Sequence, residues 1–226
     1  MRTAGILPDV PASGATISGM DELVDVLDAR GNAAGLAVPK EEAHRRGLWH
    51  RCFHCWICGR DPSGRPYLLL QRRAAGKDTW PGYLDVTAAG HLKSGEEPLD
   101  GLRELEEELG IRPDPARLIP LGTRRIEQEI PQGRDRELHA VFLLVDHTPP
   151  HRFRLRREEV ASLVAIGLDE AERLLQDGEA RAVEYAGGRA VRTRVRTAEL
   201  VPDKGIGEVV AAARRALRGE RVERIF

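Results

Sequence analysis

Gly90-His91-Leu92-Lys93-Ser94-Gly95-Glu96, followed after six residues by Arg103-Glu104-Leu105-Glu106-Glu107-Glu108-Leu109-Gly110-Ile111, is the stretch on which the reading of this chain turns. Pro98–Leu109 has the composition of a helix, with Gly110 as its C-terminal cap. At ~100° per residue, with Glu104 set at zero, Glu107 falls near ~300° and Glu108 near ~40°. Three carboxylates therefore share one face. Leu102, Leu105 and Leu109 lie between roughly 100° and 160° and form a narrow apolar face; Glu106 points elsewhere. Carboxylates at i, i+3 and i+4 repel by ~0.2–0.5 kcal/mol per pair on an exposed helix. They also crowd the last turns, where the helix dipole disfavours negative charge. Such an arrangement calls for a counter-charge, and a hard divalent cation with oxygen ligands, Mg²⁺ above all, supplies one. For the helix taken alone, a solvated acidic face is the plainer alternative.

Outward from the helix, strand and helix patterns alternate. Leu23–Leu27 and Ala34–Val38 flank Arg30-Gly31-Asn32 and predict a hairpin. Pro39 opens a short helix that ends near Gly47. Trp49–Cys58 and Tyr67–Leu70 read as strands around Asp61-Pro62-Ser63-Gly64. Leu84–Ala89 reads as a strand running into Gly90. Leu118–Ile130 and Glu137–Val145 flank a Gly133 turn, and Val160–Ile166 follows. Asp169–Gln176 reads as a helix, Ala182–Tyr185 and Ala190–Val195 as strands, and the apolar residues from Ile206 to Leu217 recur at helical spacing. Hairpins mixed with helices predict an α/β (α+β) fold with a mixed sheet. Residues 1–19, rich in Ala, Gly, Pro and Ser, are expected to be a mobile tail. Residues 20–226 are expected to form one domain with an N-terminal hairpin and a C-terminal helical extension.

The Gly90-to-Ile111 stretch resembles the Nudix hydrolase signature: a Gly, five residues, a Glu, seven residues, then Arg-Glu-apolar-any-Glu-Glu-any-Gly-apolar. Gly90 and Glu96 fit the first part, and Arg103 to Ile111 fit the last at every specified position. One departure stands out, because six residues rather than seven separate Glu96 from Arg103. In the family this Glu often pairs with the Arg, so the shortening bears on that brace and leaves the Glu104, Glu107 and Glu108 face untouched. The resemblance implies an α/β/α sandwich and a pyrophosphohydrolase acting on a nucleoside diphosphate derivative or similar organic diphosphate. Mg²⁺ or Mn²⁺ would be held by Glu104, Glu107 and Glu108, with Arg103 as a further catalytic residue. One of these carboxylates, or Glu127, Glu129 or Glu137 from later in the chain, would take a proton from water. Gly90, Glu96 and Gly110 would be the structural positions of the motif.

The flanks are similar to the isopentenyl diphosphate isomerase-like branch of the same superfamily. The segments that carry this are Leu48-Trp49-His50-Arg51, Gln71-Arg72-Arg73, Lys77 through Gly82, and Ala89-Gly90-His91. Isomerases of this branch use a metal site of His and Glu and a catalytic Cys just before the Gly-His pair. His50 and His91 match two of those His ligands, His44 is a candidate third and Glu137 a candidate Glu. Ala89, however, stands where the catalytic Cys would be, and a methyl group carries no proton. Hydrolysis is therefore the expected activity, with isomerisation and a non-catalytic binding protein as alternatives.

Arg72 and Arg73 close a strand before the Gly76–Gly82 loop and, with Gly90 and His91, are candidates for substrate binding. Trp80 is a candidate to stack on a base or an isoprenoid tail. Cys52, Cys55 and Cys58 lie in one predicted strand, where residues three apart point to opposite faces, so they read as buried free thiols rather than a metal cluster. Arg152, Arg154 and Arg156, and Arg192, Arg194 and Arg196, alternate as on a solvated strand face.

Composition bounds the rest. The 226 residues carry 35 Lys+Arg against 36 Asp+Glu, a formal charge of −1, which gives no global pull toward nucleic acid or a membrane. Three Cys exclude a disulfide scaffold. No apolar run approaches the ~18 residues of a membrane span, and the N-terminus lacks a signal-peptide layout. A reduced, cytoplasmic protein acting on a small-molecule diphosphate is expected. A homodimer through a swapped hairpin or a sheet edge is left open.

Overall fold

In the computed structural model, residues 22–202 and 205–226 are described; the expected tail over 1–19 lies outside them. β1 (Leu23–Leu27) and β2 (Ala33–Pro39) form the N-terminal hairpin, and α1 (Lys40–Arg46) follows, capped by Gly47. The central strand is β3 (Trp49–Arg60), and β4 (Pro66–Arg73) returns antiparallel to it. The predicted strand before Gly90 is two short pieces, β5 (Leu84–Asp85) on β4 and β6 (Ala88–His91) on β3. α2 (Arg103–Leu109) comes next, then the long hairpin β7 (Leu118–Ile130) and β8 (Gly133–Val145). β9 (Val160–Gly167), α3 (Leu168–Asp177), β10 (Glu179–Ala186), β11 (Arg189–Arg196) and α4 (Ile206–Ala216) complete the order.

The sheet is mixed. β3 pairs parallel with β8 along ten residues and antiparallel with β4 and β6 on its other side. Side chains alternate across β3, and that alternation divides the core. Phe53, Cys55 and Ile57 meet Leu105 and Leu109 of α2 on one face. Trp56 and Cys58 belong to the cluster on the other face, which contains Leu168, Ala171 and Leu174 of α3 and Val209, Val210 and Ala213 of α4. Helices thus cover both faces, as the sandwich reading required. The three Cys are buried and unpaired by disulfides, and they do not act as one cluster, because Cys55 faces away from Cys52 and Cys58.

Two expectations change. The helix over 98–109 is split, with Pro98–Leu102 forming a 3₁₀ helix and only Arg103–Leu109 being α-helical. A 3₁₀ turn rises about 2.0 Å per residue against 1.5 Å in an α-helix, so it spans the approach to α2 with one residue fewer. Arg152 to Arg156 do not form a strand; Pro150–Arg152 is a 3₁₀ turn followed by loop. Arg192, Arg194 and Arg196 do lie exposed on β11, which ends the sheet path.

Candidate functional site

α2 presents its carboxylates to a cavity of about 910 Å³. Glu104 and Glu108 are nearly buried, at 8% and 4% exposure, because Leu105 and Leu109 anchor the helix to the sheet between them. Gly90 allows Glu104 to come close: a Cβ there would stand 2.1 Å from Glu104 Oε1. Arg103 binds back onto the loop before it. Its Nε and Nη2 donate to Glu96 at 2.9 and 3.1 Å, and Nη2 also donates to the His91 carbonyl at 2.8 Å. The brace between Glu96 and Arg103 therefore forms despite the shortened spacing. Arg103 also bonds Glu104 and lies 3.6 Å from Glu107. Glu106 points away and pairs with Arg112 at 2.5 Å.

Glu108 is held by neutral groups. Gln71 Nε2 and the Ala89 N–H donate to it at 3.4 and 3.3 Å. Among the described residues no cationic side chain pairs with it. Burial, reinforced by Glu104, pushes the Glu108 carboxyl up to about 8. Burial also lifts Glu104 to about 7, with Arg103 opposing and Glu107 adding to the rise. A buried carboxylate short of positive charge, beside a second one, fits a divalent cation.

A second group lies on the same cavity. α1 supplies His44, β3 His50, β6 His91 and β8 Glu137, and one donor atom of each lies within 4.8 Å of the others. The parallel register sets His50 opposite Glu137. Glu137 Oε1 is 3.1 Å from His91 Nε2 and 3.5 Å from His50 Nε2. His50 Nδ1 lies 2.9 Å from the Leu48 carbonyl, which only accepts. Nδ1 therefore donates to that carbonyl and Nε2 is the atom turned toward the carboxylate, the orientation a metal-ligating His takes from such a partner; burial opposes the charged ring, but Glu137 outweighs it and raises the His50 pKa. The Nε2 atoms of His44, His50 and His91 are buried without a hydrogen-bond partner. Burial, with His91 and His50 adding to it, lowers His44 to about 4, so its ring is neutral near neutral pH. Burial opposes ionisation of Glu137, but His139, His50 and His91 outweigh it and hold the carboxyl well below its ordinary range. Imidazoles around an ionised carboxylate, in a buried place, are a donor set that fits a transition metal. Glu104, Glu107 and Glu108 are not among the groups of donors that converge this closely.

The other candidates separate. Arg73 lines the cavity and is tied to Asp85 at 2.9 Å. Arg72 does not line it and is held by Glu184 at 2.9 Å and Glu199 at 3.4 Å. Of the later carboxylates, Glu137 lines the cavity, whereas Glu127 pairs with Arg136 at 2.8 Å and Glu129 with Arg134 at 2.6 Å outside it. Lys77, paired with Glu159 at 2.5 Å, and Arg156 line the cavity too; in the sequence Lys77 stood only in a segment of the isomerase-like resemblance and Arg156 only in a solvated arginine face. Trp80 lines the cavity with a positive φ of 51° and a buried, unpartnered Nε1. Strained backbone of this kind clusters where ligands bind.

A braced acidic helix facing a cavity, on a mixed sheet covered by helices on both faces, defines an enzyme of the Nudix type. The NUDIX domain model matches residues 48–186, and the chain belongs to that family. An uncharacterized Nudix hydrolase of Clostridium acetobutylicum is 38% identical over 157 residues, covering 70% of this chain and 75% of that protein. An isopentenyl-diphosphate Delta-isomerase of Streptomyces griseus is 34% identical over 151 residues, covering 64% of this chain and 74% of that protein. The crystal structure of DR0079 from Deinococcus radiodurans shares the fold, with a TM-score of 0.53 and 17% identity over 84% of this chain and 98% of that one. Among the described residues no helix is long and apolar enough to cross a membrane.

Proposed function

We propose that this chain hydrolyses a diphosphate linkage in a nucleoside diphosphate derivative or a similar organic diphosphate, with Mg²⁺ or Mn²⁺ at Glu104, Glu107 and Glu108. The observation that carries this reading is the pair of nearly buried carboxylates, Glu104 and Glu108, raised to about 7 and 8 on the cavity wall. Glu104, Glu107 and Glu108 would hold the cation, which would supply charge neutralisation for the diphosphate and a lower pKa for a bound water. One of these carboxylates, on an oxygen not engaged by the cation, would accept the water proton. Glu137 serves poorly as the base, because the imidazoles around it hold its carboxyl low. Lys77 and Arg156 draw the phosphate oxygens, and Arg103 holds Glu104 and Glu107 in place. Trp80 lies against the organic group. Residues 20–226 act as one domain.

The test is a panel of nucleoside and isoprenoid diphosphates with Mg²⁺ or Mn²⁺, read by release of phosphate or mononucleotide. Glu107→Gln and Glu108→Gln should each lose at least about 100-fold in rate; full activity in either would sink the assignment.

The convergence of His44, His50, His91 and Glu137 favours a second reading, isomerisation of an isopentenyl diphosphate. Against it stands Ala89, which lines the cavity with a methyl group where that chemistry needs a proton carrier. Interconversion of isopentenyl and dimethylallyl diphosphate by the unaltered chain would reverse the ranking.

A further inference from the structure

Cys52 sits in the middle of a row that crosses three strands. Its antiparallel partner on β6 is His91, and its parallel partner on β8 is His139. One step along, His50 is opposite Glu137. Adjacent strands lie about 4.8 Å apart and alternate residues share a face, so His50 and Cys52 of β3 face the same side as Glu137 and His139 of β8. Donor atoms of Cys52, Glu137 and His139 all lie within 4.8 Å of one another, and all three residues are buried. Two donors on one tetrahedral zinc ion, bound at about 2.3 Å for sulfur and 2.0–2.1 Å for nitrogen, stand about 3.6 Å apart. A contraction of up to about 1 Å brings this group to that geometry.

Glu137 faces the two groups with different oxygens. Oε1 is the one near His91 and His50, at 3.1 and 3.5 Å, and Oε2 is 2.5 Å from His139 Nε2. The His139 ring is stacked on His54 with centroids 3.8 Å apart, and its Nδ1 is buried without a hydrogen-bond partner. A carboxylate with one oxygen toward each of two donor sets is the arrangement that bridges a pair of metals about 3.5–4 Å apart. We infer that Cys52, Glu137 and His139 form a second, sulfur-containing transition-metal site, bridged through Glu137 to the His44, His50 and His91 group.

The thiol selects the ion. Sulfur with imidazole and one carboxylate suits Zn²⁺ or Co²⁺ and not Mg²⁺. Three protein donors leave a position open, and Cys52 and His139 both line the cavity, so that position faces incoming ligand. The site adds to the histidine group and is independent of the hydrolysis reading, because metal content is measured without turnover.

The experiment counts Zn²⁺ per chain by mass spectrometry after dialysis in excess Mg²⁺, and records the Co²⁺ absorption spectrum. The unaltered chain should hold two Zn²⁺ and show a thiolate-to-Co²⁺ charge-transfer band. Cys52→Ala and His139→Gln should each hold one fewer Zn²⁺ and lose the band. Cys52→Ser keeps the size of the side chain and should lose the band as well, with circular dichroism unchanged. His50→Ala should hold one fewer Zn²⁺ but retain the band. Either of two results overturns the proposal: no thiolate band in the unaltered chain, or a Zn²⁺ count that Cys52→Ala and Cys52→Ser leave unchanged.

Discussion

At Glu108 the requirements of chemistry and of stability conflict. Burial and Glu104 raise its carboxyl to about 8, and Glu104 itself reaches about 7, against about 4.3 for an unfolded Glu. Between those values the folded chain binds more protons than the unfolded one. These two groups therefore favour the fold fully below the unfolded pKa, and that contribution is lost as pH rises through 7 and 8. Glu108→Gln stays neutral at every pH and escapes its share of the loss. In metal-free buffer the variant should be more stable than the unaltered chain at pH 8 by on the order of a few kcal/mol and melt higher, and the two should converge toward pH 5. Scanning calorimetry at both pH values checks this, and a variant that melts lower at pH 8 would contradict the buried, uncompensated carboxylate. The same substitution should remove activity, so stability and function move in opposite directions at one residue.

α2 and the loop before it act as one element. Glu96 holds the Arg103 guanidinium through two hydrogen bonds and also accepts from the Lys93 N–H at 2.7 Å. Arg103 in turn steadies Glu104 and Glu107. Glu96→Gln should therefore weaken Mg²⁺ affinity by about 10- to 100-fold, as loss of a ligand's supporting partner typically does, with the fold intact by circular dichroism. Unchanged affinity in a Mg²⁺ titration would show that the brace does not orient the carboxylates. The carboxylate face was legible in the sequence, since Glu104, Glu107 and Glu108 follow from helical spacing alone. The Glu96–Arg103 contact was not, because whether the shortened spacing broke it depended on the longer 3₁₀ rise per residue over Pro98–Leu102. His44, His50 and His91 entered the reading through resemblance, and no local pattern brings them together. Cys52 and His139 were further out of reach: they are 87 residues apart and meet only through the parallel register of β3 and β8. Arg72 and Arg73 looked alike in sequence, yet strand alternation sends Arg72 to Glu184 and Arg73 to Asp85.

Over the whole molecule, the histidine group ties together elements that are distant along the chain. His44 comes from α1, His50 from β3, His91 from β6 and Glu137 from β8, and the acidic face of α2 lines the same cavity. Without an ion, three buried Nε2 atoms there lack hydrogen-bond partners, and each such atom weakens the fold. An ion bound only by the assembled group favours the folded chain by mass action. At a free concentration 100 times its dissociation constant it adds about 2.7 kcal/mol. A domain of this size shifts its midpoint by roughly 2–4 °C per kcal/mol. Zn²⁺ at that level should therefore raise Tm by about 5–11 °C, and a chelator should reverse the rise. His50→Ala should lose the share of the gain that this group supplies, while Glu107→Gln, on the half-exposed helix face, should keep it all. Melting curves for the three chains with and without Zn²⁺ separate the two centres. If Zn²⁺ left the midpoint of the unaltered chain in place, the four residues would be a buried hydrogen-bonding cluster and no ion would join the elements around it.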